Sequence, residues 1–255
     1  MTLLTQRASF ILSADRGFIP LARMSIATLS SYLLGYLLTA LLVLVGIGAA
    51  FLGMRGFIRR GLAFWGNLLF WLVGRRLYKH GTENIVPGKT YLVLANHSSM
   101  YDIPALLAVA PDISLVGREK LMRIPVFNRL LKAIRYIPID TERIRKARGA
   151  IAEAVQRAGE GFSIGMFPEG TRTLTGEVQR LKRGFVCVLR ESGLDVLPVT
   201  IRGTFALKPK GRWTMDPRER IEAFVHPAIA NSDLVALDDE GIMDKVRTVL
   251  GGGNP

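Results

Sequence analysis

The sequence predicts an α/β fold: a mixed, largely parallel sheet flanked by helices, preceded by an N-terminal membrane-associated helical segment. From about Gly81 onward, short apolar runs alternate with amphipathic segments, as strands and helices do in a layered domain. Before that point lie a long uncharged stretch and a shorter apolar one. We therefore expect two parts, a membrane-anchoring helical segment at residues 1–78 and a folded domain at residues 79–255.

The anchoring segment carries two apolar stretches. No charged residue occurs between Arg23 and Arg55, and about 20 apolar residues are enough to cross a bilayer. The second stretch, residues 61–74, is shorter and contains Trp65 and Trp71 between flanking arginines, which is typical of a helix in the membrane interface. We expect a monotopic hairpin, or one span plus an interfacial helix, with the rest of the chain on the cytosolic side. A cleaved signal peptide does not fit, because the first stretch is too long and a second follows it.

The folded domain is predicted to contain at least six strands and two helices. A helix is expected over residues 145–158, where apolar residues recur at helical spacing. A second helix should follow "NHSSMYD", residues 96–102, with Ser98 or Ser99 as its cap and Pro104 in its first turn. The strand candidates are residues 91–95, 113–116, 136–139, 163–167, 196–201 and 221–225.

The composition restricts the classes of molecule that we expect this protein to bind. Lysine and arginine total 34 against 21 acidic residues, a net charge of +13, and the mean hydropathy is +0.26. Such a chain favours an anionic partner, and Lys182 with Arg183, just before a further helix, could face a phosphate. Nucleic-acid binding would interleave aromatic with basic residues, whereas Trp65 and Trp71 lie in an apolar stretch, so we expect no nucleic acid. The single cysteine, Cys187, excludes an internal disulfide and is predicted to pack. Three histidines and one cysteine offer no metal site.

His97 and Asp102 follow the predicted strand at 91–95. Five residues apart, they would not share a face of a regular helix. They can meet only if His97 lies in the loop and Asp102 in the first turn of the next helix. Asp102 would then hold one imidazole nitrogen and leave the other as a general base for a substrate hydroxyl that attacks an acyl group. The alternative is a capping aspartate beside a loop histidine, and the spacing leaves both open.

A second polar stretch, "FPEGTRT" at residues 167–173, follows another predicted strand. Gly170 lets the backbone approach a ligand, and Thr171 with Arg172 can bind an oxyanion. Glu169 could accept a hydrogen bond from a hydroxyl or hold Arg172 in place. A solvated turn is the alternative for this stretch alone.

A rival motif, "GFSIG" at residues 161–165, fits the G-x-S-x-G pattern of serine hydrolases. In those enzymes a strand precedes the serine and a helix follows it. Here a predicted helix precedes Ser163 and a strand follows, so the order is reversed and we reject a serine nucleophile.

These stretches together resemble the glycerolipid acyltransferases, in particular the 1-acylglycerol-3-phosphate acyltransferases. The resemblance extends over roughly residues 91–201: "NHSSMYD" is followed about seventy residues later by "FPEGTRT", and "YIPID" and "VLPVTI" are similar to the family's second and fourth blocks. The resemblance implies His97 as the base and Asp102 as its orienting partner. The contacts that it implies to the phosphate or acceptor are Glu169, Gly170, Thr171 and Arg172.

The second block departs from the family pattern. The family usually has a glycine near the position of Arg135 and a basic residue directly after the aspartate, where this chain has Thr141. Arg143 and Arg145 are displaced from that position. Arg143 and Lys182 are therefore further candidates for binding the acceptor's phosphate.

The resemblance implies an enzyme that moves a fatty acyl group to the sn-2 hydroxyl of 1-acylglycerol-3-phosphate, giving phosphatidic acid in phospholipid biosynthesis. The donor would be acyl-CoA or acyl carrier protein, with no metal and no further cofactor. The expected partners are this thioester, a lysophospholipid and the bilayer, with the catalytic domain on the cytosolic face; no oligomeric state follows. One alternative is acyl transfer to another lysolipid or an aminolipid. An alternative of a different class is a non-catalytic basic protein that binds membrane or nucleic acid.

Overall fold

A computed structural model describes residues 21–52, 54–124, 127–133, 135–140 and 144–252. Over these ranges the chain forms a seven-stranded sheet with helices on both faces. The strands are β1 (Leu77–His80), β2 (Tyr91–Ala95), β3 (Ile113–Arg118), β4 (Ile137–Ile139), β5 (Ser163–Met166), β6 (Asp195–Arg202) and β7 (Ile221–Val225). The helices are α1 (Leu21–Phe51), α2 (Arg55–Leu72), α3 (Asp102–Val109), α4 (Phe127–Ala133), α5 (Ile144–Gly159), α6 (Gly184–Ser192), α7 (Thr204–Leu207), α8 (Asn231–Val235) and α9 (Asp239–Gly252).

The sheet confirms the predicted α/β class. Its strand order is β1-β7-β6-β2-β5-β3-β4, and the five strands from β6 to β4 are mutually parallel. Strand β7 runs antiparallel to β6, and β1 runs parallel to β7, so the sheet is mixed. All six predicted strands are present. The sequence did not predict β1, "LYKH", because this edge strand is partly exposed and has no apolar run.

Strand β2 is buried on both faces, which explains its uninterrupted apolar sequence. Tyr91 and Val93 belong to the hydrophobic cluster that includes Phe70 of α2. Leu92 and Leu94 belong to the cluster on the opposite face, with residues of α5, α6 and α9. Burial of one such leucine side chain contributes about 1.5–3 kcal/mol. Helices α2 and α3 thus contribute to the cluster on one face of the sheet, and helices α5, α6 and α9 contribute to the cluster on the other.

Helix α1 lies against the rest of the protein along much of its length. The Thr28 hydroxyl accepts a 3.0 Å hydrogen bond from the backbone N–H of Met215, and the Thr39 hydroxyl accepts one of 2.9 Å from the Trp65 indole. The predicted boundary between residues 78 and 79 falls inside β1, whereas α2 ends earlier, at Leu72. Helices α1 and α2 therefore share a hydrophobic core with the sheet.

The opposite side of α1 is apolar and open. We call it the outer apolar face; its large exposed residues are Ile26, Leu29, Leu33, Leu37, Leu41 and Leu44. They recur every three or four residues and so lie along one side of the helix. In the part of the chain that the structure describes, one helical stretch, Ile26–Ala49, has the length and composition to cross a membrane.

Cys187, which was predicted to pack in the core, is instead exposed on α6. The prediction was wrong because the apolar neighbours of Cys187 face inward while its own side chain faces outward.

Arg135 has an unusual backbone conformation for a residue with a side chain. Its φ is +54°, the one positive value for a non-glycine residue among those described. It lies in the turn before β4, and its guanidinium carbon is 3.8 Å from the centroid of the Phe162 ring. The left-handed region costs an L residue about 1–2 kcal/mol. Arg135 is near the position at which the second block of the resembled family usually has glycine.

We expect the Arg135→Gly variant to be more stable than Arg135→Ala, with a free energy of unfolding about 1 kcal/mol higher. Both changes remove the contact with Phe162, but only glycine relaxes the backbone. Thermal unfolding of both variants in the same detergent measures the difference. The same pair at Arg157, within α5, is the control and should give the opposite order, because glycine weakens a helix interior. Equal stability of the two variants at 135 would contradict the assignment of strain.

Candidate active site

The candidate site lies where β2, β5 and β6 end. Because these strands are adjacent and parallel, their carboxyl ends share one edge of the sheet, and the loops that follow them meet there. The three loops contribute residues 96–101, 167–183 and 203 onward. A backbone hydrogen bond of 2.9 Å from Thr173 N–H to the His97 carbonyl joins the first two. The fold thus brings together two stretches that lie far apart in the sequence.

His97 and Asp102 are in contact. The Nδ1 atom of His97 is 2.9 Å from Oδ2 of Asp102, and the same oxygen accepts the backbone N–H groups of Ser98 at 2.6 Å and Ser99 at 2.7 Å. Asp102 is fully buried, so these donors replace the water that an ionised carboxylate needs. The imidazole ring stacks on Phe167, with centroids 4.2 Å apart. This arrangement leaves Nε2 as the nitrogen that can receive a proton.

The start of α3 explains the contact. Asp102 is the first residue of that helix, as predicted, but the predicted cap is wrong: Tyr101 occupies the N-cap position and makes no side-chain cap. Ser98 and Ser99 use their backbone N–H groups to hold the carboxylate instead. The Ser99 hydroxyl accepts a 3.3 Å bond from Tyr101 N–H and donates to the Lys208 carbonyl at 2.7 Å. The loop is therefore ordered by Asp102 rather than by a serine cap.

Glu169 braces the same loop from the other side. Its side chain is almost fully buried, and Oε1 accepts the His97 backbone N–H at 2.6 Å. Oε2 accepts two bonds from Gln179, from the backbone N–H at 3.0 Å and from the side-chain amide at 3.2 Å. Burial raises the pKa of Glu169, and the backbone donors of Gln179 and His97 oppose that rise. These contacts are all within the protein, and a direct contact of Glu169 with the acceptor stays a prediction.

Gly170 is required by the geometry of its turn. Its φ is +70°, and a Cβ atom at this position would lie 3.0 Å from Cδ of Lys182. The backbone N–H of Lys182 donates to the Pro168 carbonyl at 2.8 Å. Lys182 thus passes over the turn with its stem against Gly170. A larger residue at position 170 would displace the lysine and strain the backbone.

Basic side chains gather beside this turn. Lys210 Nζ lies 3.4 Å from the Thr171 hydroxyl. Lys208 is buried and donates to the Arg212 carbonyl. Burial, and then the positive charges of Arg172 and Arg212, lower the pKa of Lys208. The Arg172 charge is therefore close to a second cation, an arrangement that an anionic ligand would stabilise.

Two predicted candidates cannot be placed. Arg143 lies outside the described residues, and of Arg145 only the backbone, in α5, is described. Among the described residues, no group of three or more His, Cys, Asp and Glu side chains is arranged to hold a metal. Ser163, of the rejected serine motif, begins β5 at the opposite edge of the sheet, where its hydroxyl accepts the Tyr91 N–H at 3.1 Å.

Several residues of the site were not predicted. The Asn96 amide pairs with both backbone groups of Ile201, accepting at 2.7 Å and donating at 2.9 Å. The Thr204 hydroxyl donates to Asp102 Oδ1 at 2.6 Å. Asn96 could have been found as a polar residue directly after a buried strand, whereas Thr204 and Gln179 give no such local signal.

A groove of about 290 Å³ opens beside this site. It lies between α1, α2 and the start of α3, and it continues the surface formed by Met100 and Tyr101, which are neighbours of the His97 loop. Its walls are mostly apolar, with the Tyr32 and Ser31 side chains among them. The edge of the sheet that carries His97 thus adjoins an apolar groove formed by α1, α2 and the start of α3.

A family model described as Acyltransferase matches residues 76–202, which contain His97, Asp102 and the 167–173 turn. The chain belongs to this acyltransferase family. The predicted resemblance is confirmed. The matched residues include β1 to β6 and the first two loops of the site, and the match ends directly before the third loop, which begins at residue 203.

Individual relatives of this chain are also named as acyltransferases. The chain is 31% identical over 139 residues to a 1-acyl-sn-glycerol-3-phosphate acyltransferase of Borreliella burgdorferi, covering 54% of this chain and 56% of the relative. It is 26% identical over 161 residues to the chloroplastic enzyme BAT2 of Brassica napus, covering 63% and 47%. The chain thus spans about half the length of these curated relatives. The crystal structure of the 1-acyl-sn-glycerophosphate (LPA) acyltransferase PlsC from Thermotoga maritima superposes with a TM-score of 0.82 at 26% identity, covering 91% of this chain and 95% of that one.

Proposed function

We propose that this protein transfers a fatty acyl group from an acyl thioester to the sn-2 hydroxyl of 1-acylglycerol-3-phosphate, giving phosphatidic acid. The observation that carries the proposal is the buried Asp102 carboxylate on Nδ1 of His97, which leaves Nε2 as a base at the edge of the sheet. The relatives from Borreliella burgdorferi and Thermotoga maritima, which are named as acyltransferases for this acceptor, support it.

His97 acts as the general base. Nε2 accepts the proton of the sn-2 hydroxyl while the hydroxyl oxygen attacks the thioester carbonyl carbon. Asp102 stabilises the imidazolium that forms, because its ionised carboxylate faces Nδ1–H. The tetrahedral intermediate then collapses with cleavage of the carbon–sulfur bond, and the leaving thiolate takes up the proton. The products are phosphatidic acid and the free thiol of the carrier, and neither a metal nor an enzyme-bound acyl group takes part.

The acceptor's phosphate binds at the basic side chains beside the 167–173 turn. Arg172 presents a planar guanidinium, which matches two phosphate oxygens better than an ammonium does. Lys182 lies over the same turn, at Gly170. A phosphate here relieves the repulsion between Arg172 and Lys208. Backbone N–H groups and cations of the same loops stabilise the oxyanion of the intermediate.

We expect Arg172→Ala to raise the apparent KM for lysophosphatidic acid about ten- to a hundred-fold, because a charge-assisted hydrogen bond to phosphate is lost. Arg172→Lys should have a smaller effect in the same direction, and the KM for the thioester should stay nearly constant. Steady-state kinetics with each substrate varied in turn measures both values. Arg180→Ala, which removes an exposed guanidinium paired with Glu240, is the control and should behave as the parent does.

Arg143→Ala and Arg145→Ala extend this experiment to the displaced arginines of the second block. A defect at 172 confined to the thioester would assign the turn to the donor instead. A defect at 143 or 145 in place of 172 would move the phosphate to the second block. Normal kinetics in all three variants would point to Lys182 and Arg183.

The protein associates with one face of a membrane through α1 and α2, with the catalytic domain in the cytosol. Because α1 is bonded to the Met215 backbone at Thr28 and to Trp65 of α2 at Thr39, we place it against the domain rather than away from it across the bilayer. Its outer apolar face is open instead. A monotopic arrangement, with this face in the lipid, matches both observations.

The test of the function is a donor and acceptor panel with the purified full chain in lipid vesicles. Acyl-CoA and acyl carrier protein thioesters are supplied in parallel, each with lysophosphatidic acid, other lysolipids and an aminolipid. We expect phosphatidic acid to be the main product with at least one donor. Preference for another lysolipid would keep the acyl transfer and change the acceptor. No transfer with any pair would favour a non-catalytic, lipid-binding protein.

A further inference from the structure

Thr204 is a buried hydroxyl in contact with the proposed catalytic pair. It is the first residue of α7, directly after β6 and Gly203, and it is fully buried. Its Oγ1 lies 2.6 Å from Oδ1 of Asp102, the carboxylate oxygen that does not face His97. The two oxygens of Asp102 are therefore held by different parts of the chain.

The direction of the hydrogen bonds follows from the chemistry of the groups. An ionised carboxylate can only accept, so the Thr204 hydroxyl donates to Asp102. Thr204 Oγ1 is also 3.1 Å from the Ser98 hydroxyl. Because the Thr204 proton is already used, Ser98 is the donor in that contact. The result is a directed chain from Ser98 through Thr204 to Asp102, in which each bond polarises the next.

The position of Thr204 is fixed by two local features. Gly203 has a φ of +80°, and a Cβ atom there would lie 2.0 Å from the Arg220 carbonyl oxygen, so the chain turns tightly and only glycine fits. Asn96 bonds both backbone groups of Ile201 and thereby fixes the end of β6 relative to the His97 loop. The Gly203 turn and the Asn96 hydrogen bonds thus fix Thr204, three residues after Ile201, in contact with Asp102.

We propose that Thr204 is a positioning residue for the general base: its hydroxyl anchors Oδ1 of Asp102 and so aims Oδ2 at His97. This inference rests on the proposed acyl transfer. The χ2 torsion of an aspartate is broad, so bonds to Oδ2 alone leave the plane of the carboxylate poorly fixed. Thr204 supplies the second anchor. Its hydroxyl also gives Oδ1, an oxygen of a fully buried carboxylate, a donor in place of water.

Removal of the hydroxyl has two consequences for catalysis. The carboxylate plane becomes free to turn, so His97 is held less often in the reactive orientation. In addition, a carboxylate with one donor fewer keeps more negative charge for the imidazolium, which therefore holds its proton more firmly. The base then becomes available only at higher pH. A residue that merely filled space would change neither the orientation of His97 nor the pH dependence.

The experiment compares Thr204→Val with Thr204→Ser in the full chain. Valine has the shape of threonine without the hydroxyl, and serine keeps the hydroxyl. We expect valine to lower kcat about ten- to a hundred-fold with both KM values nearly constant, and to move the acidic limb of kcat/KM upward by about half a pH unit. Serine should restore most of kcat and the original limb.

Thr200→Val is the matched control. Thr200, in β6, is also a buried threonine, but its hydroxyl bonds His226 and the Leu250 carbonyl on the other face of the sheet. The same substitution there should lower thermal stability and leave the pH profile unchanged. If Thr204→Val does not fold, Ser98→Ala takes its place, because it removes the donor to Thr204 and should move the limb in the same direction by a smaller amount.

A measurement without substrate separates this inference from the proposed function. The chain has three histidines, so nitrogen NMR of histidine-labelled protein resolves His97, assigned with His97→Ala. We expect the Nδ1–H signal of His97 to shift in Thr204→Val and to stay in place in Thr204→Ser and Thr200→Val. A lower rate in Thr204→Val with an unchanged limb and signal would overturn the positioning role, as would a normal rate. If the signal shifts in Thr204→Val but the unmodified protein transfers no acyl group, the contact is retained and the proposed function is rejected.

Discussion

Replacement of His97 by alanine is expected to lower the rate of acyl transfer by about a hundred- to ten-thousand-fold, the usual range for loss of a general base. The thermal stability should change little, because His97 lies in a loop and its side chain packs mainly on Phe167. The loss should appear in kcat rather than in either KM, since the base acts on the proton during the chemical step. The measurement is steady-state transfer from labelled thioester to lysophosphatidic acid in vesicles, with each substrate varied in turn.

His80→Ala is the matched control for this result. His80 is a half-exposed histidine of β1 that bonds Glu222 at 3.1 Å and stacks on Phe224, at the far edge of the sheet. Its loss should leave transfer unchanged. Near-normal turnover in a folded His97→Ala protein would contradict the proposed mechanism, whatever the acceptor.

Replacement of Asp102 by asparagine should be nearly as severe for activity and should also destabilise the protein. Oδ2 of Asp102 accepts three N–H groups, from His97, Ser98 and Ser99, and an amide has one oxygen for all the donors around it. Since buried donors left without a partner cost about 1–3 kcal/mol each, we expect a loss of about 2–4 kcal/mol in the free energy of unfolding. The His97 ring would also lose the carboxylate that selects its tautomer and stabilises its positive charge.

Two measurements on Asp102→Asn test this expectation: denaturant unfolding in detergent and the rate of transfer. Asp233→Asn, at an exposed site at the start of α8, is the control and should change neither. A variant at 102 that is inactive but as stable as the parent would mean that the loop does not depend on the carboxylate. A variant that is less stable but fully active would remove Asp102 from the mechanism.

Much of the site was predictable because its signals are local. The contact between His97 and Asp102 follows from a buried strand, a spacing of five and a helix that can begin at the aspartate. The 167–173 turn follows another strand, and parallel strands place such turns at one edge. The cap at Ser98 or Ser99 was wrong because α3 begins only at Asp102, with Tyr101 at the N-cap, and the Asp102 carboxylate binds the backbone N–H groups of both serines.

The rest could not be read from the sequence because its partners are distant. Thr204 and Asn96 reach groups more than a hundred residues away, and a buried threonine after a strand is common in any sheet. Glu169 was predicted at the site. That its carboxylate accepts the backbone N–H groups of His97 and Gln179 depends on how the His97 loop and the loop after β5 pack together. The N-terminal helical segment was predicted as a separate part. An apolar sequence pattern indicates that a helix face is shielded from water, but it does not indicate whether protein or lipid shields it.

The packing of α1 along helices α2 and α4 has a kinetic consequence. In the proposed orientation, the outer apolar face fixes the height of His97 relative to the lipid headgroups, so the enzyme meets its acceptor by diffusion in a plane. The relevant concentration of lysophosphatidic acid is then its mole fraction in the membrane surface. The relevant concentration of the thioester is the one in bulk solution, from which it diffuses to the site. Added inert phospholipid should therefore dilute the acceptor without diluting the donor. The rate of phosphatidic acid formation would follow the composition of the bilayer more closely than the total amount of lysolipid in the sample.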